Sequence, residues 1–239
     1  MKIGLQLFSI RKIAEEKGLC AAFDLAKELG YDGVELAGFY GMTAAQVKEE
    51  LDKRGLECAG LHESVKLILG NTEEEINIAK TLNAYSICIP ACGKGDLDYW
   101  RERVSAIREV APKFKEAGVM LGYHNHTTEF EGEGDVKPID IIFGGDMLDY
   151  MFFEMDTRHV VHAGYDPVEY AMKYNRTPVL HARDTNGETD CAVGSGIVDF
   201  KAVIDFCKPE WVVVEIENPN GVEQDAADSV KYLKENFCK

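Results

Sequence analysis

Short runs rich in β-branched and aromatic residues alternate with segments of helical period along the chain, and the alternation repeats eight times. The runs predicted as strands are Lys2–Ser9, Gly33–Ala37, Glu57–Glu63, Tyr85–Ala91, Val119–His126, Tyr150–Asp156, Pro178–Asp184 and Trp211–Glu217. Amphipathic stretches such as CAAFDLAKELG and TEEEINIAKTLN lie between them. Eight units in 239 residues leave about 30 residues per unit, the size of one βα repeat. Because such units pair in parallel through right-handed crossovers, the pattern predicts an α/β protein, a single-domain (β/α)8 TIM barrel over residues 1–239.

Residues at the ends of the helical segments agree with this division. Side chains that favour helix starts open four segments, and these predicted N-caps are Thr43, Thr72, Asp166 and Asp199. Glycines that favour helix ends precede three strands, and these are Gly30, Gly55 and Gly118. An open doubly wound sheet is the rival architecture, but the first βα turn, QLFSIRK, has no glycine-rich phosphate fingerprint.

The composition excludes several classes of function. A net charge of −16 argues against binding to a nucleic acid, because such binding depends on basic groups that displace counterions. No stretch approaches the roughly 18 apolar residues of a membrane-spanning helix, and the short apolar run at the N-terminus ends in Arg11 and Lys12, unlike a signal peptide. Seven scattered cysteines indicate reduced thiols and a cytoplasmic protein, with Cys58, Cys88 and Cys191 interpreted as small core or loop residues.

Ionisable side chains gather where the predicted strands end. All six histidines lie at or just beyond strand ends, His162 being the least clearly placed. The groups found there are Glu35, His62, His124, Asn125, His126, Glu129, Asp156, His159, His181, Arg183, Asp184, Glu215 and Glu217. Because residues two apart share one face of a strand, His124 and His126 are expected to point the same way, as are His181 and Arg183. Since the carboxyl ends of barrel strands carry the active site in this fold, the joint pattern predicts a site at that end.

Histidine and carboxylate groups at one barrel mouth can share a divalent cation. A mixed nitrogen and oxygen donor set favours Mn²⁺, Co²⁺, Mg²⁺ or Zn²⁺. An ion held by two carboxylates, a histidine and one further group keeps open positions for two adjacent sugar oxygens. It would then polarise a carbonyl while a neighbouring carboxylate removes the α-proton. Any single histidine on a strand is more often structural, so the hypothesis depends on the pattern across strands five to eight.

Seven segments in this order resemble the xylose isomerase-like TIM barrels, the sugar phosphate isomerase/epimerase family. They are KIGLQLFSIR, GYDGVELAG, LGYHNHTTEF, FEMDTRHVVHAGYDP, VLHARD, VGSGIVDF and WVVVEIE, and they span nearly the whole chain. The resemblance implies a metal held by one group from each of strands five to eight, with Asp156, His181 and Glu215 from the last three. It also implies substrate contacts by His159, pocket positions for Glu35 and His62, and a contribution of Gln6 and Arg11 from the first strand.

Strand five departs from the ketose 3-epimerase branch of that family, in which it supplies a glutamate. His124 stands in that place here, and Glu129 follows within HNHTTEF. We predict Glu129 as the fourth metal ligand, with His126 or His124 as acid/base, so that the catalytic groups are His126, Glu129 and Glu215. Glu35, His62, His124, His159 and Arg183 are the predicted substrate contacts. Which of His124 and Glu129 binds the metal stays open.

The resemblance and its departure leave two chemistries. The first is a metal-dependent isomerase or epimerase of a sugar or sugar phosphate, most simply with Mn²⁺; the second is a lyase, dehydratase or hydrolase of a keto-sugar or keto-inositol. A non-catalytic sugar-binding barrel predicts a missing ligand, and DNA repair by related barrels needs more histidines and a basic surface. The predicted partner is therefore a small sugar, not a nucleic acid or a membrane, while a homo-oligomer formed through exposed helices stays open.

Overall fold

Eight parallel strands form a closed barrel in the computed structural model, which describes residues 1–218 and 221–238. The strands are β1 Lys2–Gln6, β2 Gly33–Leu36, β3 Glu57–His62, β4 Ser86–Ile89, β5 Met120–His124, β6 Met151–Asp156, β7 Val179–Ala182 and β8 Trp211–Val214. Each strand pairs in parallel with the next along the chain, and β8 closes the sheet against β1. The predicted (β/α)8 barrel is confirmed.

Helices lie between the strands around the barrel. They are α1 Arg11–Lys17, α2 Leu19–Leu29, α3 Ala44–Arg54, α4 Val65–Gly70, α5 Thr72–Leu82, α6 Leu97–Glu116, α7 Pro138–Ile142, α8 Thr157–His162, α9 Pro167–Tyr174, α10 Phe200–Cys207 and α11 Val222–Phe237. Short 3₁₀ turns are Leu7–Ile10, Thr127–Phe130 and Met147–Asp149, and the segments Asp184–Thr185 and Asp190–Cys191 pair as a small antiparallel hairpin after β7. Within the described ranges, no helix is both long and apolar enough to cross a membrane.

Three of the four predicted N-caps are confirmed, and one is wrong. Thr43 forms a capping box with Gln46, while Asp166 and Asp199 accept hydrogen bonds from backbone amides in the first turns of α9 and α10. Thr72 is instead the first residue of α5, and its hydroxyl donates to the carbonyl of Ile68 at 2.8 Å. The preceding short helix α4 supplies that acceptor, and the sequence pattern had not revealed a helix there.

Several strands end earlier than the sequence predicted, and the residues past their ends matter for the site. The first strand stops at Gln6, whose side-chain oxygen accepts a hydrogen bond from the amide of Phe8 and begins a 3₁₀ turn. The eighth stops at Val214, so that Glu215 follows the ladder. A side chain at this point extends beyond the packed barrel interior, and the closed sheet brings eight such positions around one opening.

An apolar layer fills the amino-terminal part of the barrel interior. Its buried members are Ala59, Cys88, Phe152, Val179, Trp211 and Val213. Because side chains alternate along a strand, the next inward positions on β6, β7 and β8 are Glu154, His181 and Glu215. The barrel interior is therefore divided into an apolar layer and, above it, a polar layer.

Candidate metal and substrate site

The polar layer is assembled by strand pairing. In the register of the sheet, His124 lies opposite Glu154, and Asp156 lies opposite His181. Gln6 lies opposite Glu35 on the other side of the barrel. Adjacent parallel strands thus place these side chains next to one another before any loop contributes.

Four of these groups form a candidate metal site, which we call the outer site: His124, Asp156, His181 and Glu215. One donor atom from each lies within 4.8 Å of the others, and all four side chains are buried. His181 Nδ1 is 2.9 Å from Glu215 Oε2, and His124 Nε2 is 3.9 Å from Asp156 Oδ2. Two imidazole nitrogens and two carboxylates suit a divalent transition metal, and Asp156 Oδ2 has no hydrogen-bond partner among the described residues. The residues therefore fit the implied metal.

Backbone contacts fix the position of Asp156. Its carboxylate caps α8, with Oδ1 accepting from the amide of His159 at 2.9 Å. The side chain of Asn125 pairs with the backbone of Asp156, accepting from its amide at 2.9 Å and donating to its carbonyl at 3.3 Å. One carboxylate oxygen of Asp156 is thus held in place while the other faces the site.

Glu154 was missed by the sequence analysis, although it lies fully buried in the middle of the polar layer. Its Oε2 is 2.7 Å from His62 Nε2, 3.4 Å from His124 Nδ1 and 3.5 Å from His181 Nε2. Its Oε1 accepts from the thiol of Cys88 at 3.0 Å, so this cysteine is buried as predicted and also contacts the site. The signal was available, because Glu154 lies two residues before Asp156 and must share its face.

Glu35 lies on the opposite side of the same cluster. Its Oε2 accepts from Gln6 Nε2 at 2.6 Å and lies 2.6 Å from His181 Nε2 and 3.2 Å from His62 Nε2. Its Oε1 is buried without a hydrogen-bond partner in the described part of the chain. Glu35 and His62, predicted as substrate contacts, therefore lie below the barrel mouth and in contact with the candidate ligand His181.

Glu129, predicted as a metal ligand and catalytic group, lies in a different environment. Its Oε1 accepts from the hydroxyl of Tyr123 at 2.7 Å, and its Oε2 accepts from the amide of His126 at 2.9 Å and from the hydroxyl of Thr128 at 3.0 Å. It is absent from the groups of donor atoms that converge on a common point within residues 1–218 and 221–238. The geometry instead places His124 among the candidate ligands, because Glu129 caps the 3₁₀ turn that follows β5.

The outer rim of the site is formed by His126, His159 and Arg183. Arg183 Nη1 donates to His159 Nε2 at 3.3 Å, so the proton of that ring is on Nδ1, which is 3.0 Å from the hydroxyl of Thr127. The ring centroid of His126 is 4.8 Å from that of His159. A cleft of about 340 Å³ opens here and is lined in part by His126, Thr127, His159 and Lys94. The cleft shares His126 and His159 with the rim and therefore lies beside the outer site.

Arg183 joins the rim to the outer site. Its guanidinium donates to Asp190 and to Glu217, each at 2.8 Å, and Nη1 lies 3.7 Å from both Asp156 Oδ2 and Glu215 Oε1. These contacts fix the plane of a buried guanidinium beside two candidate ligands.

Burial and neighbouring charges shift the titration of the site. Burial and the Glu154 carboxylate raise the pKa of Glu35, and burial raises the pKa of Asp156 to about 6. Burial would also raise the pKa of Glu215, but its hydrogen bond with His181 holds that pKa well below its usual range. Burial and the charge of Arg183 lower the pKa of His159 to about 3, so this imidazole is neutral near pH 7. The site thus contains both ionised carboxylates and a neutral histidine.

Other residues singled out from the sequence lie outside the cluster. Arg11 stacks on Phe8 and donates to its carbonyl, and His162 is exposed at the end of α8. Asp184 accepts from the amides of Gly194 and Gly196, each at 2.9 Å, and so organises the loop after β7.

Comparison with known proteins agrees with this architecture. Residues 23–236 match the family described as xylose isomerase-like TIM barrel. The rhizopine catabolism protein MocC of Rhizobium meliloti is 24% identical, in an alignment that covers 81% of this chain and 73% of that protein. The inosose dehydratase of Geobacillus kaustophilus is 22% identical, with 89% of this chain and 82% of that protein covered.

Solved structures share the fold over the whole barrel. A sugar phosphate isomerase/epimerase from Parabacteroides distasonis superposes with a TM-score of 0.85 at 20% identity and covers 99% of each chain. The IOLI protein, whose crystal structure has a bound zinc atom, superposes with a TM-score of 0.74 at 14% identity, covering 98% of this chain and 97% of that one. At these identities the superpositions establish the fold.

Proposed function

As the chain belongs to the xylose isomerase-like TIM barrel family, we propose that it is a divalent-metal-dependent enzyme that isomerises or epimerises a sugar or sugar phosphate. The reaction would move a proton on a carbon next to a carbonyl. The observation that supports this most strongly is the convergence of His124, Asp156, His181 and Glu215 at the carboxyl end of the barrel.

We assign the metal to these four side chains, with His124 in place of Glu129. Both oxygens of Glu129 already accept hydrogen bonds, whereas Asp156 Oδ2 has no such partner in the described ranges. The donor set suits Mn²⁺, Co²⁺ or Zn²⁺ better than Mg²⁺, which prefers oxygen ligands. When bound, the ion supplies Lewis acidity that polarises the substrate carbonyl.

We assign the proton transfers to Glu215 and His126. Glu215 is a buried carboxylate whose pKa is held low, so it is ionised and can accept a proton. The ring of His126 lines the cleft, with its centroid 4.8 Å from that of His159, so we assign to it the proton exchange on the other side of the substrate. Neutral His159 and the charged Arg183 would hold substrate oxygens between them.

A second candidate is a dehydratase or lyase acting on a keto-sugar or keto-inositol. The inosose dehydratase is among the relatives in sequence, and the two proposed proton-transfer groups differ in chemical type. In an elimination, a carboxylate such as Glu215 removes the α-proton, and a histidine such as His126 protonates the departing hydroxyl. Both candidates use the same residues, and the product separates them.

Metal binding tests the proposal. We expect Mn²⁺ to raise the melting temperature of the purified protein, since a ligand that binds the native state stabilises it. Asp156→Asn and His181→Ala should abolish this shift. Asp166→Asn is the matched control, because Asp156 and Asp166 each cap a helix and asparagine retains that capping. A shift that persists in both site variants would contradict the ligand assignment.

Deuterium incorporation tests the chemistry. Ketoses, ketose phosphates and keto-inositols are incubated with the Mn²⁺-loaded protein in D₂O. Deuterium at a carbon next to the carbonyl of an isomerised product supports proton transfer, and its loss in Glu215→Gln assigns the base. An unsaturated or dehydrated product favours the lyase instead. A metal-loaded protein that turns over no member of the panel and exchanges no proton would contradict both candidates.

A further inference from the structure

Below the outer site lies a second set of donors that the proposed function does not use: Glu35, His62, Glu154 and Cys88. We infer that these four residues, here called the deep site, bind a second divalent cation, and that their donor types favour Zn²⁺. The inference goes beyond the proposed function, because it concerns an ion that does not need to contact substrate.

The donor atoms converge at distances close to those of a metal site. His62 Nε2 is 2.7 Å from Glu154 Oε2 and 3.2 Å from Glu35 Oε2, and Cys88 Sγ is 3.0 Å from Glu154 Oε1. Donor atoms of Glu35, Cys88 and Glu154 lie within 4.8 Å of one another. Ligands in a tetrahedral zinc site are separated by roughly 3.3–3.7 Å, because each bond is about 2.0–2.3 Å long. Small side-chain movements would place these atoms around one ion.

The charges of the deep site call for a cation. Glu35 and Glu154 are both fully buried, and within the described ranges their ion pairs are with histidines, without a lysine or arginine. Both carboxylates approach the same ring nitrogen of His62, which can donate at most one hydrogen. Glu35 also accepts from Gln6 and lies 2.6 Å from His181 Nε2, but these partners carry no permanent positive charge, and a divalent ion would neutralise both buried carboxylates.

An unpartnered carboxylate oxygen of Glu35 also supports a cation in the deep site. Glu35 Oε1 is buried and has no hydrogen-bond partner among residues 1–218 and 221–238. The neighbouring Gly60 leaves it room, since a Cβ there would lie 2.5 Å from Glu35 Oε1 and 2.8 Å from Ser86 Oγ. A buried acceptor without a donor destabilises the folded protein, and coordination of an ion would remove that penalty.

The two sites can be filled together because His124 and His181 lie between them. His181 presents Nδ1 to Glu215 and Nε2 to Glu35, and His124 presents Nε2 to Asp156 and Nδ1 to Glu154. If the outer ion takes one nitrogen of each ring, the other nitrogen carries the hydrogen and donates to a deep carboxylate. The outer ion therefore uses no donor atom of the deep site. With four protein ligands the deep ion is enclosed, as in structural zinc sites.

Metal stoichiometry on the full chain tests the inference. The protein is loaded with Zn²⁺, freed of excess by gel filtration and analysed for bound zinc. We expect about two equivalents in the unsubstituted protein and about one in either Glu35→Gln or Asp156→Asn, because each removes one site. Glu75→Gln is the matched control, a buried glutamate on the outer helix α5, and should retain about two.

Cobalt gives a second readout that does not depend on Glu35. Co²⁺ bound at the deep site would show the thiolate-to-metal charge-transfer band of a cysteine ligand. Cys88→Ser should abolish this band, while Cys92→Ser, a buried cysteine outside the four donors, should keep it. This pair decides the question if Glu35→Gln fails to fold.

The outcomes separate the deep site from the proposed function. The unsubstituted protein could bind about one equivalent of zinc and show no thiolate band. If Asp156→Asn then loses this zinc and Glu35→Gln keeps it, the deep site is overturned and the outer site is supported. If instead Glu35→Gln loses the one equivalent of zinc, Asp156→Asn keeps it and the thiolate band is present, the deep site is supported and the outer ligand set is overturned. Protein that binds no zinc and no cobalt overturns both.

Discussion

The apolar and polar layers inside the barrel come from the same strands but have different roles: one packs the barrel, and the other supplies the candidate ligands. Along β6 the inward side chains are Phe152, Glu154 and Asp156, and along β8 they include Trp211 and Glu215. On β6 a step of two residues passes from the packed ring of Phe152 to Glu154, and from Trp211 on β8 a step of four passes by Val213 to the candidate ligand Glu215. The apolar layer requires volume that fills the barrel, whereas the polar layer requires particular atoms in particular places.

The apolar layer is filled by pairing large rings with glycine. A Cβ on Gly122 would lie 2.6 Å from the ring of Phe152, and one on Gly33 would lie 2.8 Å from the ring of Trp211. Such contacts leave no room for rearrangement, so this layer acts as a rigid floor. The polar layer above it has unpartnered atoms such as Asp156 Oδ2. We therefore expect substitutions in the apolar layer to lower stability while the ligand set is kept. Substitutions in the polar layer should reduce function while the fold is kept.

The largest expected effect is a loss of stability when the apolar layer is disrupted. Phe152→Ala removes a fully buried ring and leaves a cavity, and we expect the free energy of unfolding to fall by about 3–5 kcal/mol. Urea unfolding followed by circular dichroism measures this change. Phe206→Ala, a partly exposed phenylalanine on α10, is the control and should cost far less. A similar midpoint for both variants would show that the ring does not carry the packing of this layer.

A smaller effect concerns the rim of the polar layer. Arg183→Lys keeps the charge but cannot reach Asp190, Glu217 and His159 at once, because lysine has one nitrogen in place of a planar fork. We expect kcat/KM to fall about 10–100-fold, about 1.4–2.7 kcal/mol, while the metal-dependent rise in melting temperature is retained.

The control for this rim variant is Arg108→Lys. Arg108 is a partly exposed arginine of α6 that pairs with Asp146, and its substitution should leave kcat/KM unchanged. If Arg183→Lys also lost the metal-dependent shift, Arg183 would be holding the ligands themselves rather than the substrate.

The sequence predicted the barrel well because its signals are local and repeated. The predicted strand ends also included Asp156, His181 and Glu215, and the closed sheet brings the donor atoms of these residues together. Glu154 escaped notice because its neighbours are apolar, although strand alternation assigns it the face of Asp156.

The rest depended on structure beyond the strand ends. Glu129 lies five residues after the end of β5, where a 3₁₀ turn directs its carboxylate to Tyr123 and the amide of His126. Periodicity no longer applies in such a turn, so the sequence pattern could not show where the Glu129 carboxylate points. The prediction of Thr72 as an N-cap was wrong for a similar reason. Its hydrogen-bond acceptor, Ile68, belongs to a helix of six residues that has little sequence signal.

The smallest expected effect concerns Glu75, a buried carboxylate outside the barrel, whose pKa can be compared with those of the carboxylates inside it. Glu75 on α5 is buried, and its Oε2 has no hydrogen-bond partner in the described part of the chain. Burial, reinforced by Glu63 and Glu74, raises its pKa from 4.5 to about 7. Unlike the carboxylates of the polar layer, which contact histidines, it has the carboxylates Glu63 and Glu74 as its charged neighbours in the described part of the chain.

The sign of the pH dependence follows from that shift. Between about pH 4.5 and 7 the unfolded chain gives up the Glu75 proton first, so this group's contribution to stability falls as the pH rises and stays unfavourable above pH 7. Glu75→Gln should therefore flatten the profile of melting temperature over that range and raise the melting temperature at pH 8 by about 2 °C. Glu73→Gln, an exposed neighbour in the same helical turn, is the control and should follow the unsubstituted profile. A Glu75→Gln profile parallel to that of the unsubstituted protein would mean that Glu75 stays ionised without cost, and that a buried carboxylate here needs no nitrogen partner.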